Sequence, residues 1–180
     1  NLRSDAREGE GDDAFAQELA ALADMYVNEA FSASHREHAS IVGIPKYIKG
    51  FAGLQFEEEV KHLSKALTPE SPSLCILGGA KFETKEAFIK AVLVRYDHVF
   101  LGGALANDAF AAQNLPVGRS LVSEHPEGLV PLLEDAKIML PVDVTVDGPS
   151  GVAVRKPGDV HADEAILDAG PETVTELGRF

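Results

Sequence analysis

The chain has 180 residues, of which 45% are hydrophobic and 25% are charged, a composition typical of a globular protein with a core. Its net charge of −13 argues against broad nucleic-acid binding, because that function needs clustered Lys and Arg to neutralise phosphates. No apolar run approaches the roughly 20 residues of a membrane-spanning helix, and the single cysteine, Cys75, excludes an intrachain disulfide.

The first quarter of the chain predicts a loop, a helix and a short strand. Residues 4–13 are polar and predict a surface loop, with Asp12 or Asp13 as the N-cap of the following helix. Apolar residues at helical spacing predict that helix over residues 14–23. The apolar residues 25–27 then predict a short buried strand.

A glycine-containing stretch separates this strand from a longer helix. Residues 41–53 carry three glycines and a proline, so they predict an irregular, hinge-like segment. Residues 54–67 predict a helix with acidic residues in its N-terminal half. We expect its core-facing stripe to consist of Leu54, Val60, Leu63 and Leu67.

The rest of the chain alternates between strand and helix patterns. Strands and helices are predicted in turn over residues 74–77, 84–94, 97–101 and 105–113. A third strand is predicted over residues 138–146, interrupted by Pro141, then an irregular stretch over 147–161 and a helix over 171–177. Repeated β-α units indicate an α/β protein whose parallel sheet is covered on both faces. Cys75 lies in the first strand, so we expect a buried, unreactive thiol.

Two glycine-rich turns are the leading candidates for a binding site. Gly78-Gly79 follows the first strand of this region, and Gly102-Gly103 follows the second. Glycine allows a tight turn and a close approach to a ligand, and a helix start offers unpaired N–H groups to an anion. Lys81 and Lys85 are four residues apart, so on a helix they would share one face and suit a phosphate. The alternative interpretation is a pair of packing turns with solvated lysines.

The loop over residues 34–38 is a further candidate for anion binding. Arg36 offers a planar fork that suits phosphate or carboxylate, and His35 and His38 flank it. Arg3 is a second candidate anion contact, although a lone arginine is more often a surface residue. A metal site is the weaker interpretation, because the two histidines lack an evident third ligand.

Taken in order, these segments resemble phosphoglycerate kinase along nearly the whole chain. Each motif alone is modest, whereas their ordered combination is specific. The matching segments are NLR at 1–3, ADMYVNEAF at 23–31, SHREHAS at 34–40, the helix at 53–67, ILGGAKFETK at 76–85, LGGALA at 101–106, LPVD at 140–143 and DAGPET at 168–173. The chain departs from the motifs of the family at Ser4, Glu29, Ala33, Thr84 and Ala104.

The resemblance implies parts of two Rossmann-like three-layer α/β/α domains with parallel sheets, joined by an interdomain helix. Residues 1–52 would be the C-terminal part of the N-terminal, phosphoglycerate-binding domain. Residues 53–67 would be the interdomain helix, and residues 68–180 the first part of the C-terminal, nucleotide-binding domain. The implied reaction is the glycolytic, reversible phosphoryl transfer from 1,3-bisphosphoglycerate to ADP, which gives 3-phosphoglycerate and ATP.

The resemblance also assigns roles to individual residues. Arg3 and Arg36 would bind the glycerate substrate, and Arg3 would also have a catalytic role. Lys81 would contact nucleotide phosphate, and Lys85 would act catalytically by neutralising the transferring phosphoryl group. The nucleotide side would also include Gly78, Gly79, Ala80, Gly102, Gly103 and, near the adenine, Leu167. Mg²⁺ would accompany ATP or ADP, with its aspartate ligand outside this sequence.

The family's N-terminal half and its C-terminal glycine-rich motifs are missing from the sequence. We therefore expect a piece of a longer enzyme that is inactive alone and unstable, because dividing a sheet exposes strand edges. The full enzyme is expected to be a cytoplasmic monomer without nucleic-acid or membrane partners. The alternative is a non-catalytic α/β module that binds a nucleotide or another anion. A dehydrogenase-like Rossmann half is disfavoured, because G-x-G-x-x-G is missing.

Overall fold

The computed structural model describes residues 1–80 and 82–180. The chain divides into two compact units, Asn1–Thr68 and Pro69–Phe180, which are described separately below. Both units combine helices with parallel strand pairs, so the predicted α/β class with parallel sheets is confirmed.

The first unit is built around one pair of parallel strands. Strand β1 (Met25–Asn28) pairs with strand β2 (Lys49–Ala52), with Met25 opposite Lys49 and Asn28 opposite Ala52. In chain order the helices and strands of this unit are α1 (Ala6–Gly9), α2 (Asp13–Ala20), β1 (Met25–Asn28), β2 (Lys49–Ala52) and α3 (Leu54–Leu67).

Two segments of the first unit are more ordered than the sequence predicts. The predicted loop over residues 4–13 contains α1, whose N-cap Asp5 accepts a hydrogen bond from the backbone N–H of Arg7. The segment predicted to be irregular over 41–53 contains β2, because β1 supplies a pairing partner that local composition does not reveal. The predicted N-cap of α2 is confirmed as Asp12, whose carboxylate accepts a hydrogen bond from the N–H of Phe15 at 2.7 Å.

A small core holds α2 against the segment that follows the strand β1. Phe15 and Ala16 of α2 are buried together with Ala39, which begins a π-helical turn over Ala39–Gly43. A Cβ on Gly43 would lie 2.5 Å from the Cβ of Ala16, so only glycine allows this close packing.

Helix α3 has the predicted bounds, but its predicted core stripe is wrong for this chain. No residue of α3 is buried, and the four side chains of the stripe are among the exposed hydrophobic residues: Leu54 at 80%, Val60 at 40%, Leu63 at 50% and Leu67 at 64%. Helical periodicity predicts that an apolar face exists, but it does not predict that the same chain covers that face.

The second unit contains two three-stranded sheets with helices between and beside them. Its helices and strands are β3 (Leu74–Leu77), α4 (Glu86–Leu93), β4 (His98–Leu101), α5 (Ala104–Ala112), α6 (Val130–Leu133), β5 (Ile138–Met139), β6 (Val144–Gly148), β7 (Gly151–Arg155), β8 (Ala165–Ala169) and α7 (Pro171–Leu177). The first sheet is parallel with the order β3-β4-β5, and the second is antiparallel with the order β7-β6-β8.

The single strand predicted over residues 138–146 is wrong, because the structure divides it between the two sheets. Strand β5 ends at Met139 and β6 begins at Val144, so Pro141 lies in the connection, where it need not donate a ladder hydrogen bond. The stretch predicted to be irregular over 147–161 contains most of the β6–β7 hairpin, whose tight turn brings Gly148 opposite Gly151. The antiparallel sheet was not foreseen from the sequence.

Helix α5 contributes to both hydrophobic cores of the second unit. Leu105 and Ala109 pack in the core of the parallel sheet, which includes α4 and β4. Ala106 and Phe110 belong to the core beneath the antiparallel sheet, together with Val144. An apolar sequence on both sides of a helix fits this position between two layers.

Cys75 is half-buried beside the core of the parallel sheet, and burial raises the pKa of its thiol. The thiol is therefore less accessible to reagents than that of a surface cysteine. The sequence predicted a buried thiol, whereas the structure shows a partly exposed residue. Across residues 1–80 and 82–180, no helix combines the length and the apolar character needed to cross a lipid bilayer.

Candidate functional site

The two glycine-rich turns lie against each other at the carboxyl edge of the parallel sheet. Strands β3 and β4 end side by side, and the N–H of Gly102 donates to the carbonyl of Leu77 at 2.8 Å. A Cβ on Gly78 would lie 3.8 Å from the Gly102 oxygen, and one on Gly103 would lie 3.6 Å from the Gly79 nitrogen. The two turns therefore form one continuous backbone surface, at the place where open α/β sheets bind ligands.

Gly79 and Gly103 require the conformational freedom of glycine. Their φ angles are +113° and +57°, a region that residues with a Cβ rarely adopt. Both residues are exposed, and α5 begins directly after Gly103. The first-turn N–H groups of α5 and the positive end of its dipole thus face the same edge as the glycine turns.

The ammonium group of Lys85 lies close to the first glycine turn. Its Nζ donates to the carbonyl of Ala80 at 2.7 Å, and a Cβ on Gly79 would lie 3.3 Å from the same nitrogen. Lys85 is half-buried, and no carboxylate of the described residues forms an ion pair with it. Its positive charge is therefore not neutralised by this part of the chain.

The predicted arrangement of two lysines on one helical face is wrong, because the helix begins later than predicted. Residues 82–84 form a 3₁₀ turn, and α4 begins only at Glu86, so Lys85 is the N-cap residue of the helix. Lys81 lies outside the described residues, and its predicted contact with nucleotide phosphate stays a prediction.

Leu167 borders a small cavity beside the second glycine turn. The cavity has a volume of about 210 Å³, and the residues around it include Leu167, Gly103, Ala104, Pro141 and Ile166. Leu167 is 57% exposed, so its side chain is open to a ligand. The structure thus brings together two predicted site residues, Gly103 and Leu167, that are far apart in sequence.

A larger cavity adjoins the one that Leu167 borders. It has a volume of about 490 Å³ and is bordered by Ala80, Thr84, Ala104, Asp108, Leu121 and Ser123. Leu121 and Ala104 border both cavities, so the two hollows adjoin. Sequence reasoning missed Asp108 and Ser123; the one available signal was the adjacent polar pair Asn107 and Asp108 in the otherwise apolar sequence of α5.

The predicted arginines both belong to the first unit. Arg3 is exposed in a 3₁₀ turn over Leu2–Ser4, and Arg36 is half-buried after the turn over Phe31–Ala33. Neither guanidinium has a hydrogen-bonding or ion-pair partner within residues 1–80 and 82–180.

The two histidines beside Arg36 differ in their surroundings. The Nδ1 of His38 lies 3.6 Å from an oxygen of Glu8, a buried carboxylate that also accepts the N–H of Ser40 at 2.9 Å. His38 is therefore part of the packing of the first unit, whereas His35 is exposed. Among the described residues, no group of three or more His, Cys, Asp or Glu side chains is suitably placed to hold a metal ion.

The family model for phosphoglycerate kinase matches residues 1–180, the whole length of the chain. The chain belongs to the phosphoglycerate kinase family. The phosphoglycerate kinase of Thermomicrobium roseum is 43% identical over 185 residues, covering 97% of this chain and 47% of that protein. The one from Syntrophobacter fumaroxidans is 41% identical over 190 residues, again covering 97% of this chain and 47% of that protein.

Solved structures of the family agree with this membership. The phosphoglycerate kinase of Coxiella burnetii superposes with a TM-score of 0.79 at 31% identity, covering 96% of this chain and 47% of that structure. The enzyme from Pyrococcus horikoshii gives a TM-score of 0.84 at 26% identity, covering 98% of this chain and 49% of that structure. The chain thus spans about half the length of the phosphoglycerate kinases it matches.

Proposed function

We propose that this chain is the central part of an enzyme that transfers a phosphoryl group reversibly from 1,3-bisphosphoglycerate to ADP. The products of this glycolytic step are 3-phosphoglycerate and ATP. The observation that carries the proposal is the Lys85 ammonium, which no described carboxylate neutralises and which lies beside two contiguous glycine turns. Phosphoryl transfer needs mainly positioning and positive charge, and this edge of the sheet offers both.

On the nucleotide side, the backbone of the two turns approaches the phosphates of ADP or ATP. Lys85 neutralises the charge that develops on the transferring phosphoryl group, and Lys81 contacts a nucleotide phosphate. The residues of this surface are Gly78, Gly79, Ala80, Gly102 and Gly103. Leu167 packs against the adenine at the cavity of about 210 Å³ that it borders together with Gly103. An apolar wall with few polar groups suits a planar base.

On the substrate side, Arg3 and Arg36 bind the phosphate and carboxylate groups of the glycerate. Their guanidinium groups have no partners within residues 1–80 and 82–180, which leaves their donors available for an anion. Residues 1–52 then form the end of the phosphoglycerate-binding domain, 53–67 the interdomain helix, and 68–180 the first part of the nucleotide-binding domain.

Mg²⁺ accompanies the nucleotide in the complete enzyme. The described residues do not form a cluster of carboxylate or imidazole ligands, so we assign no step through the metal to this chain. Its ligand comes from a segment outside the sequence. The full enzyme acts as a cytoplasmic monomer, and the 180-residue chain alone is inactive.

The direct test is a coupled assay of ATP formation from 1,3-bisphosphoglycerate and ADP. The full polypeptide that contains this sequence is expected to turn over, and the isolated 180-residue chain is not. Nucleotide binding is measured in parallel by calorimetry. A full polypeptide that is folded and binds ADP but forms no ATP would instead identify a binding module and overturn the proposal.

A further inference from the structure

A buried carboxylate in α5 holds Ser123, which borders the larger cavity. Asp108 is 1% exposed. Its Oδ1 accepts the backbone N–H of Ser123 and its Oδ2 accepts the hydroxyl of Ser123, both at 2.7 Å. A buried carboxylate is retained only where donors satisfy it, so Asp108 fixes both the backbone and the side chain of Ser123.

The hydroxyl of Ser123 also binds the turn over residues 82–84, which directly precedes Lys85. Its oxygen accepts the backbone N–H of Phe82 at 3.1 Å. The carbonyl of Phe82 in turn accepts the backbone N–H of Lys85 at 2.7 Å. Asp108 and Ser123 are thereby connected to the backbone of Lys85 through the N–H and the carbonyl of Phe82.

The side chain of Phe82 keeps this connection rigid. It is 2% exposed and packs in the core of the parallel sheet. A Cβ on Gly128 would lie 2.9 Å from its ring, so the ring occupies space that only glycine leaves free. Phe82 is therefore anchored by its ring while its backbone groups orient the turn over residues 82–84.

We propose that Asp108 and Ser123 are positioning residues that set the location of the Lys85 ammonium for phosphoryl transfer. The proposal rests on the proposed function, since it assigns them a part in that reaction. Neither side chain forms a hydrogen bond to the described residues of the glycine turns; both act on Lys85 through Phe82. A catalytic group displaced by about 1 Å can cost on the order of 100-fold in rate, so such a support matters for turnover.

The same sheet contains a chemically matched pair at its opposite edge. Both the N–H and the hydroxyl of Ser73 donate to Asp97, at 2.9 and 3.0 Å, and the Ser73 oxygen accepts the N–H of Asp97 at 3.0 Å. Ser73 precedes β3 and Asp97 precedes β4, so this pair lies at the amino ends of the strands, away from Lys85. Ser73→Ala therefore removes an equivalent interaction without reaching the site.

The test compares three variants of the full polypeptide: Ser123→Ala, Ser123→Thr and Ser73→Ala. We expect Ser123→Ala to lower kcat about 10-fold or more while the dissociation constant for ADP changes less than about 2-fold. Ser123→Thr keeps the hydroxyl and is expected to recover most of the lost turnover. Ser73→Ala is expected to lower the Tm but to leave kcat unchanged. If Ser123→Ala does not fold, Asp108→Asn, which keeps the size of the side chain, carries the same comparison.

A second measurement separates this inference from the proposed function. Hydrogen exchange of the backbone amides of Phe82 and Lys85 is expected to accelerate in Ser123→Ala but not in Ser73→Ala, whatever reaction the protein catalyses. A wild-type polypeptide without kinase activity but with this exchange pattern would overturn the proposed function and keep the connection to Lys85. An active wild type in which Ser123→Ala resembles Ser73→Ala in kcat and in exchange would overturn the positioning role.

Discussion

The carboxylate of Asp143 accepts hydrogen bonds from both the backbone N–H and the hydroxyl of Thr173, at 2.8 and 2.7 Å. The other carboxylate oxygen accepts the N–H of Glu172 at 3.0 Å. Asp143 lies just before β6, whereas Thr173 lies in the first turn of α7, so the carboxylate caps a helix that follows it by about 30 residues. A Cβ on Gly170 would lie 2.3 Å from this carboxylate, which makes glycine necessary beside it.

Removing this carboxylate should destabilise the full polypeptide. Asp143 is 4% exposed, and Asp143→Ala leaves the N–H groups of Glu172 and Thr173 without acceptors, so we expect a loss of about 2 to 4 kcal/mol in the free energy of unfolding. Denaturant unfolding at pH 7 measures this loss. Asp147→Ala is the matched control, because Asp147 is exposed on β6; equal losses in both variants would contradict the capping role.

The same group predicts a dependence of stability on pH. Burial raises the pKa of Asp143, but hydrogen bonds from Thr173 and Glu172 and the charge of Lys156 outweigh burial and hold the pKa below its ordinary value. Because the folded pKa is lowered, this stabilisation is present above the ordinary aspartate value of about 3.9 and is lost as the pH falls through the folded pKa. We expect the Tm of Asp143→Asn to fall less than that of the wild type below about pH 4. Parallel wild-type and variant curves would rule out this contribution.

Lys85→Ala should reduce turnover far more than it weakens nucleotide binding. Under the proposed function, the ammonium is most valuable when charge develops on the transferring phosphoryl group, so we expect kcat to fall about 100-fold or more with the ADP dissociation constant within about 3-fold. Steady-state kinetics and calorimetry on the full polypeptide measure the two effects. Lys90→Ala is the control, because Lys90 pairs with Glu86 on the exposed surface of α4. Equal losses of turnover and binding would contradict the assigned role of Lys85.

Gly79→Ala should combine backbone strain with displacement of Lys85. The φ of +113° disfavours any side chain, at a cost of about 1 to 3 kcal/mol. The new Cβ would also lie 3.2 Å from Cε of Lys85 and 3.3 Å from its Nζ. Gly151→Ala is a matched control, since Gly151 has a φ of +88° but nothing within 4 Å of an added Cβ. We expect both variants to lose Tm and only Gly79→Ala to lose kcat; a comparable loss of kcat in Gly151→Ala would indicate strain alone.

How far the sequence predicted the structure depended on whether the deciding interaction was local. The bounds of α3 and α7 follow from signals within each segment, such as Gly170-Pro171 at the start of α7. The strand predicted over 138–146 failed because its two ends pair with strands in different sheets, and residue type does not specify a partner. Strand β2 was missed for the same reason, since only its pairing with β1 makes it a strand.

The candidate site also has features that the sequence could predict and features that it could not. The adjacency of the two glycine turns could be predicted, because consecutive β-α units bring the carboxyl ends of parallel strands together. The connection from Asp108 to Phe82 could not, since its hydrogen bonds join residues 15 and 41 positions apart through a loop without regular structure. The ligand-binding roles of Arg3, Arg36, Lys81 and Lys85 stay predictions.

Glu29, which stands where the family has an aspartate, caps the start of α3. Its Oε2 accepts the N–H of Phe56 at 3.1 Å, and a Cβ on Gly53 would lie 2.1 Å from its carboxyl carbon. Gly53→Ala should therefore displace this carboxylate and lower the Tm of the full polypeptide by about 2 to 4 °C. Glu29→Ala should produce a similar loss, and the double variant should lose less than the sum.

Scanning calorimetry on the four proteins of this cycle measures the coupling. Gly9→Ala is the control, because nothing lies within 4 Å of a Cβ added there and its backbone is helical. Strictly additive losses for the two sites would show that Gly53 does not act through Glu29.

The exposed side chains of Leu54, Val60, Leu63 and Leu67 form an apolar ridge on α3. A charged substitution in this ridge tests whether another segment covers it. Leu67 is 64% exposed in this chain, so Leu67→Glu replaces a water-facing isobutyl group by a charge and should improve solubility. The cost in stability should stay below about 1 kcal/mol, because a negative charge is only mildly unfavourable at the C-terminal end of a helix. In the complete polypeptide the same change is harmful if another segment covers the ridge, because a carboxylate would then lose its hydration. A single substitution that improves solubility in the 180-residue chain but lowers stability in the longer polypeptide would thus locate a covered surface without any further structure.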